Sequence, residues 1–396
     1  MPLFKAPLIY TASDMGTLQD HIIKTDDHGT IQAIDRASRF TTHGEKLFET
    51  NGIIIPGMIN AHCHLELSHM KGMIPTGTGL VEFIRQIITR RNADMHSIKQ
   101  AVTRAVHEMK IKGIVAVGDI SNVTDSFEEK EKGELYFHSF IEAFDLMQYD
   151  KTLSEYEKSK KVYDALDASE KNKKAIVPHA PYSVSDPLFK LIFDHRDSSV
   201  STSIHHQETE AENQFISGRV GALVDFFEGF GLSLESYQPQ GRLASSRVID
   251  HMASDQKTLL VHNTMSTEND IRNIESWNQQ AYWVTCPNAN LYIENRLPVY
   301  QNWLQQNAKI CIGTDSLASN WQLSILEEMI TIHKYQSSVP TSELIRWATI
   351  NGAHALGFEH SLGSIEVGKT PGLVAIEGFD LEKNRFERGN MAKRLI

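Results

Sequence analysis

Eight short apolar runs, most of them separated by longer stretches with helical spacing, constrain the middle of this chain more than any other feature. They are IIIPGMINAHCH (53–64), GIVAVGDI (113–120), LYFHSFIEAF (135–144), AIVPHAPY (175–182), VSTSIHHQE (200–208), TLLVHNT (258–264), AYWVTCPNAN (281–290) and KICIGTDS (309–316). Residues 154–169 and 342–356 carry apolar side chains at helical spacing. Short strands alternating with helices predict parallel βαβ units. Eight such units predict an α/β fold of the (β/α)8 TIM-barrel type, and a span of roughly 300 residues suits it with insertions. The alternative, an open doubly wound sheet, normally carries a glycine-rich phosphate turn. Neither G-x-G-x-x-G nor G-x-x-x-x-G-K-[ST] occurs here.

The two ends of the chain have a different texture. Residues 1–55 hold short alternating segments (LIYTA, LQDHIIKT, DDHGTIQAID and RFTTHG), and the tail contains GSIEVGKTPGLVAI. Domain termini commonly lie close together. The expectation is a small β-sandwich domain built from residues 1–55 and 359–396, flanking a barrel over residues 56–358.

Charge and cysteine usage narrow the partners. Lys and Arg number 39 against 50 Asp and Glu, a net charge of −11, so binding to nucleic acid through its phosphates is not expected. Three cysteines, Cys63, Cys286 and Cys311, form no disulfide framework and no C-x-x-C motif, which suits a reducing cytoplasm. The start of the chain lacks the pattern of a signal peptide. No apolar run approaches the ~18 residues of a membrane span. The partner expected is a small-molecule substrate.

The chemistry gathers at the ends of the runs. The chain has 18 histidines. His62 and His64 end the first run, His179 lies in the fourth, His205, His206 and Glu208 end the fifth, and His262 lies near the end of the sixth. Asn288 and Asn290 end the seventh, and Asp315 the eighth. In a barrel, functional side chains sit where strands end. Residues i and i+2 share one face of a strand, so His62 and His64 can meet one metal. H-x-H alone equally describes two polar loop histidines. With His205 and Asp315 added, three imidazoles and a carboxylate suit a borderline divalent ion such as zinc or iron.

Other residues keep two readings at this level. Glu208 is either a solvated turn residue or an acid/base beside activated water. Asp315 is a helix N-cap or a ligand, and His262 a core histidine or a site residue. His179 either contacts substrate or is satisfied within the turn before Pro181. Arg85 is a solvated helix arginine or a bidentate partner for a substrate carboxylate. Glu66 contacts a substrate hydroxyl or organises its loop.

PGMINAHCHLELSHMKG resembles the first-strand signature of the amidohydrolase superfamily. SIHHQETEAE resembles its fifth-strand H-x-x-E-T element, LLVHNTMS its sixth, CPNANLYI its seventh and IGTDSLAS its eighth. ATINGAHALGF and GSIEVGKTPGLV resemble the tail of the aminohydrolase, or deaminase, branch. The elements occur in order over nearly the whole chain. Two departures, Ala289 for the usual serine and Pro371-Gly372-Leu373 for the usual Ala-Asp-Leu, leave the metal ligands untouched.

The resemblance implies one divalent metal, zinc or iron, held by His62, His64, His205 and Asp315. The family spacing H-x-x-E selects His205 over His206 as the ligand and Glu208 as the acid/base. It implies that His262 and Asp315 manage the attacking water, and that His179, Arg85, Glu66 and Asn288 are candidate substrate contacts. It further implies hydrolysis at a ring carbon bearing an amino group, with release of ammonia. The stretch HCHLELSHMKG is most similar to the aminodeoxyfutalosine deaminases of menaquinone biosynthesis. S-adenosylhomocysteine or methylthioadenosine, guanine and triazine deamination stand behind it. Barrels of this type often pair, so a homodimer is expected on resemblance alone.

Two other classes remain. A two-metal cyclic amide hydrolase needs a bridging group at the end of the fourth run, and Lys173 and Lys174 stand at its beginning. A non-catalytic metal-binding barrel need not have kept the complete ligand set together with Glu208. The H-x-E half of a nucleobase-deaminase zinc signature at His64-Leu65-Glu66 lacks its P-C-x-x-C half, and neither H-E-x-x-H nor G-x-S-x-G occurs.

Overall fold

The computed structural model describes residues 1–40 and 44–396. The RFTTHG segment therefore falls partly outside the described residues. Eight parallel strands form the middle of the molecule: β1 (Met58–Cys63), β2 (Ile114–Ile120), β3 (Tyr136–Ala143), β4 (Asn172–Pro178), β5 (Thr202–His206), β6 (Thr258–His262), β7 (Ala281–Thr285) and β8 (Ile310–Ile312). They lie in two four-stranded sheets, ordered β4-β3-β2-β1 and β5-β6-β7-β8. Every neighbouring pair is parallel, as alternating strands and helices require.

Hydrogen bonds join the two sheets at both seams. The His205 amide donates to the His179 carbonyl (2.9 Å), and the Thr314 and Asp315 amides both donate to the His62 carbonyl (3.0 Å each). Asn60 reinforces the second seam, with Nδ2 donating to Thr314 Oγ1 (2.8 Å) and Oδ1 accepting from the Thr314 amide (3.0 Å). Gly313 is required there, because a Cβ would stand 2.8 Å from His62 Cβ and 2.9 Å from the His62 carbonyl oxygen.

The helices between strands follow the apolar periodicity. In Met95–Ile111, Ile98, Ala101, Val102, Ala105, Val106 and Met109 are buried at spacings of three and four. Asp94 caps that helix by accepting from the Ser97 amide (2.9 Å). The 154–169 stretch forms a helix over Thr152–Asp164. The 342–356 stretch is two helices, Thr341–Ala348 and Ile350–Leu356, broken at Thr349.

Two expectations need correction. Residues 53–64 are two strands rather than one. Ile53–Pro56 pairs with Leu373–Glu377, and Met58–Cys63 with Ile114–Ile120. The break falls at Gly57, where a Cβ would meet Pro371 O at 2.5 Å and Val115 Cγ1 at 2.4 Å. The seventh run is not strand to its end either. It stops at Thr285, and Asn288 and Asn290 lie on the helix Pro287–Glu294, which Pro287 opens.

The termini meet in one five-stranded sheet. Its order is Met391–Arg394, Leu373–Glu377, Ile53–Pro56, Leu8–Tyr10 and Thr17–Leu18. A four-stranded sheet of Ile31–Arg36, His21–Thr25, Leu3–Lys5 and Leu47–Glu49 shares an apolar cluster with it. Phe4 and Ile23 come from one sheet, and Ile9, Ile54 and Leu373 from the other.

Candidate metal centre and active-site cavity

The site lies where the eight strands end. His62 and His64 come from the end of β1, His179 follows β4, His205 is on β5, His262 ends β6 and Asp315 follows β8. His62 Nε2 and His64 Nε2 are 3.2 Å apart. Asp315 Oδ1 is 3.6 Å from the first and 3.3 Å from the second. Donor atoms of His62, His64 and His205 all lie within 4.8 Å of one another.

Two of these side chains reach the mouth through backbone that few residues adopt. His262 has φ 77° and Asp315 φ 57°, both left-handed. Such conformations cost of order 1–3 kcal/mol and cluster at functional sites.

The electrostatics suit a cation. Burial lowers His62 and takes His64 down to about 4, so both imidazoles are neutral with lone pairs available. Burial opposes ionisation of Asp315, but His62, His64 and His262 hold its carboxyl well below the usual range. Asp315 Oδ2 accepts from Ser319 Oγ (2.5 Å), leaving Oδ1 toward the imidazoles. These two neutral imidazoles, the His205 imidazole and one carboxylate are the N/O set that zinc and related ions take.

Glu142 is the group that sequence reasoning missed. It sits on β3, and its Oε1 is 3.2 Å from His205 Nδ1. That nitrogen is also 2.9 Å from the His179 carbonyl oxygen. Burial alone would lower the His205 imidazole, but Glu142 reverses this and pushes it up to about 9. The contacts of Nδ1 with Glu142 and the His179 carbonyl leave Nε2 toward His62 and His64, as a carboxylate–histidine–metal arrangement requires. Donor atoms of Glu142, His179 and His205 also lie within 4.8 Å of one another. An acidic residue near the end of the strand-like run LYFHSFIEAF was the available signal.

Two groups face the same cavity without joining the cluster. Burial, with Asp315 and Glu212 nearby, raises Glu208 to about 8 against the pull of His205. Its Oε2 is 3.8 Å from His262 Nε2. Asn290 Nδ2 lies 3.0 Å from His262 Nδ1. With that amide donating, His262 keeps its proton on Nε2, toward Glu208. Asn290 is a second residue whose role the sequence did not show.

The cavity measures about 190 Å³, and its lining includes His64, His179, His205, Glu208, His262 and Asp315. His179 Nδ1 is 2.6 Å from Ser183 Oγ, and burial lowers this imidazole to about 4. His206 faces away. Its Nδ1 is 2.8 Å from Asn263 Oδ1, and its ring packs near Trp283.

Three expected substrate contacts are placed differently from the simplest reading. Glu66 is buried at the cavity wall and accepts from the amides of Asn122 (2.7 Å) and Val123 (3.2 Å), so it organises a loop. Arg85 is not on the wall. It lies on the exposed flank of the helix Leu80–Arg90, 3.7 Å from Glu82. Asn288 is not on the wall either, because its amide is spent on Glu328 Oε1 (2.9 Å) and Thr331 Oγ1 (2.7 Å). Arg91, further along the chain at the end of the same helix, does line the cavity.

The amidohydrolase family profile matches residues 53–393, which span all eight strands and the histidine and carboxylate cluster at their ends. The chain belongs to the amidohydrolase family. Among curated relatives, this amidohydrolase is 27% identical over 344 residues to an adenosine deaminase of Helicobacter pylori, covering 85% of this chain and 82% of that protein. It is 27% identical over 346 residues to an aminodeoxyfutalosine deaminase of Nitratiruptor sp., covering 83% and 80%. Among solved structures, the aminofutalosine deaminase of Helicobacter pylori bound to methylthio-coformycin superposes with a TM-score of 0.80 at 23% identity, over 96% of this chain and 93% of that one. An adenosine deaminase from Xanthomonas campestris with bound zinc superposes at 0.74 and 21% identity, over 96% and 86%. The amidohydrolase shares their fold. No helix among the described residues is long and apolar enough to cross a membrane.

Proposed function

We propose that this amidohydrolase is a metal-dependent hydrolytic deaminase of an amino-substituted purine nucleoside-type substrate. The observation that carries the reading is the convergence of His62, His64 and Asp315 donor atoms within 3.2–3.6 Å, in a cavity whose wall also holds Glu208 and His262. One divalent ion, zinc in the first place and iron in the second, would be held by His62, His64, His205 and Asp315. When bound, such an ion supplies a Lewis acid that makes water a nucleophile near neutral pH.

The chain's own residues account for the proton traffic. Water adds to the ring carbon bearing the amino group, and the ring C=N bond becomes single. Glu208, raised toward neutrality by burial, donates its proton to the ring nitrogen. Asp315 accepts a proton from the water. His262, with Nε2–H toward the cavity, donates a hydrogen bond to the oxygen of the tetrahedral adduct. The C–N bond to the amino group then breaks and ammonia leaves with the proton held by Asp315. The hydroxyl proton of the adduct returns to Glu208 as the carbonyl forms, so the product carries a carbonyl where the amine was and Glu208 regains its proton. His179 stands on the same wall and is suited to contact the substrate.

The scaffold reading belongs with this proposal. The eight strands make a (β/α)8 barrel, supported by the hydrogen bonds at both seams. The terminal segments make a small β-sandwich beside it, supported by the cluster that both sheets share. The test of function is ammonia release, with the ultraviolet change from adenine to hypoxanthine, on aminodeoxyfutalosine, S-adenosylhomocysteine, methylthioadenosine, adenosine and guanine. Turnover of none of these, beside efficient hydrolysis of a cyclic amide, would overturn the reading.

A further inference from the structure

The carboxyl of Glu208 is aimed by its backbone. Its side chain makes no hydrogen bond to another residue among the described residues, and its one ion-pair contact is His262 Nε2 at 3.8 Å. A proton shuttle needs an oxygen free for the ring nitrogen, so something other than the carboxyl must fix where it points. The chain that carries it takes an uncommon course. Gln207, the residue before, has φ 45°, in the left-handed region.

Two buried side chains grip the Glu208 backbone from opposite ends. Glu212 Oε2 accepts from the Glu208 amide (2.9 Å), and Thr264 Oγ1 donates to the Glu208 carbonyl (2.7 Å). Glu212 belongs to the helix Glu210–Gly218, and Thr264 follows β6. The capping of that helix shows what Glu212 is spent on. The N-cap Thr209 makes no side-chain cap bond, and Glu212, at the third helical position, reaches beyond it to the Glu208 amide. In a capping box the same position would accept from the N-cap amide.

Glu212 is costly to keep. It is fully buried, no lysine or arginine pairs with it among the described residues, and its Oε1 has no partner. Burial pushes its carboxyl up to about 7 against the pull of the Glu208 and Gln207 amides and His205. A buried acid without a cation stabilises a fold poorly, so its place against Glu208 points to the reaction.

We propose that Glu212 and Thr264 are positioning residues that clamp the Glu208 backbone and so hold its carboxyl at the ring nitrogen. The inference rests on the deaminase reading, in which Glu208 is the acid/base. Neither residue lines the cavity, so neither is a substrate contact. With one bond gone, the left-handed Gln207 is freer to relax and the carboxyl swings away. A misplacement of about 1 Å costs up to about 10²-fold in rate.

The experiment is a double-mutant cycle on kcat, run with the adenine nucleoside that wild type deaminates fastest, with zinc content measured for each variant. Glu212→Met keeps the length and removes the acceptor, Glu212→Gln keeps an acceptor oxygen, and Thr264→Val removes only the hydroxyl. Glu212→Met should lose about 10- to 100-fold in kcat with KM and zinc little changed. Glu212→Gln should stay within about threefold of wild type, and Thr264→Val should lose about 3- to 10-fold. Combined with Glu208→Gln, Glu212→Met and Thr264→Val should each cost no more than about twofold further, because the group they position is gone. A Glu212→Met protein with wild-type kcat overturns the clamp. So does a loss as large in the Glu208→Gln background as in wild type, which would make Glu212 a general support. Loss of zinc together with kcat overturns it too, by moving the effect to His205. If Glu212→Met does not fold, Thr264→Val carries the cycle on the same criteria. Ammonia release by wild type from none of the nucleosides overturns the deaminase reading itself, and the proposal with it.

Discussion

Glu142 Oε1 stands 3.2 Å from Nδ1 of His205, across the seam between the two parallel sheets. Glu142 belongs to β3 and His205 to β5, so the contact forms only when the two sheets come together. Asn122 Nδ2 holds the other carboxylate oxygen at 3.0 Å. Burial works to raise Glu142, but His179 and His205 outweigh it and hold the carboxyl below its usual range. Replacing it with Gln keeps the shape and removes the charge. Zinc affinity of Glu142→Gln, measured by chelator competition, is expected to fall about 10- to 100-fold with the fold intact. Unchanged affinity would show that the His179 carbonyl alone orients His205.

The adjacent histidines separate cleanly. His205→Ala should lose metal and activity together, because it removes a proposed ligand. His206→Ala should keep its metal, because His206 is tied to Asn263 and Trp283 on the other side of the strand. Elemental analysis of the two purified variants decides between them, and the reverse pattern would shift the ligand assignment by one residue. The same measurement on wild type should give about one divalent ion per chain.

Glu208→Gln isolates the proton shuttle. Glu208 is not among the proposed ligands, so the variant should retain its metal and still bind substrate. Loss of a positioned acid/base costs on the order of 10²–10⁴ in rate, and it should appear in kcat with KM little changed. A wild-type kcat would leave deamination standing and remove Glu208 from its mechanism.

Lys130 supports, through Asp119, the backbone just after His64. It is fully buried, with Nζ 2.6 Å from Asp119 Oδ2. Asp119 Oδ1 accepts from the Leu65 amide (2.8 Å), one residue after His64. Lys130→Met leaves a buried carboxylate unpaired, which typically costs about 3–5 kcal/mol. Urea denaturation should show that loss, and Asp119→Asn in the same chain should recover part of it. A neutral effect of Lys130→Met would mean that the pair does not stabilise the folded state.

Acid stability has a separate handle at Glu359. Its Oε1 is 2.9 Å from Lys257 Nζ and 3.7 Å from His354 Nδ1. Burial works to raise this carboxyl, but His354 and Lys257 hold it below the usual carboxylate range. A depressed folded value means that the pair stabilises at neutral pH and loses its effect as the carboxyl protonates. Glu359→Gln should therefore be less stable than wild type at pH 7, by about 1 kcal/mol for a half-buried pair. The gap should close as pH falls from about 5 to about 3, because the unfolded carboxyl protonates first. A gap that is constant with pH would assign the loss to packing.

The sequence by itself determined the parallel α/β alternation and which residues stand at the strand ends. The period of two in a strand aims His62 and His64 at the same point, and the order of the motifs brings His205, His262 and Asp315 to that end of the sheets. Those are local consequences of backbone geometry repeated in eight similar units. The tertiary structure decided what local pattern does not encode. Arg85 and Arg91 look alike in sequence, and the packing of one helix leaves the first on the exposed flank and the second on the cavity wall. Asn288 and Asn290 share a short motif, yet one is consumed by Glu328 and Thr331 while the other reaches His262. Glu142 and His205 are far apart in the chain and meet only through the juxtaposition of β3, β4 and β5. Hydrogen-bond capacity is finite, so a polar residue's role depends on which partners packing supplies first.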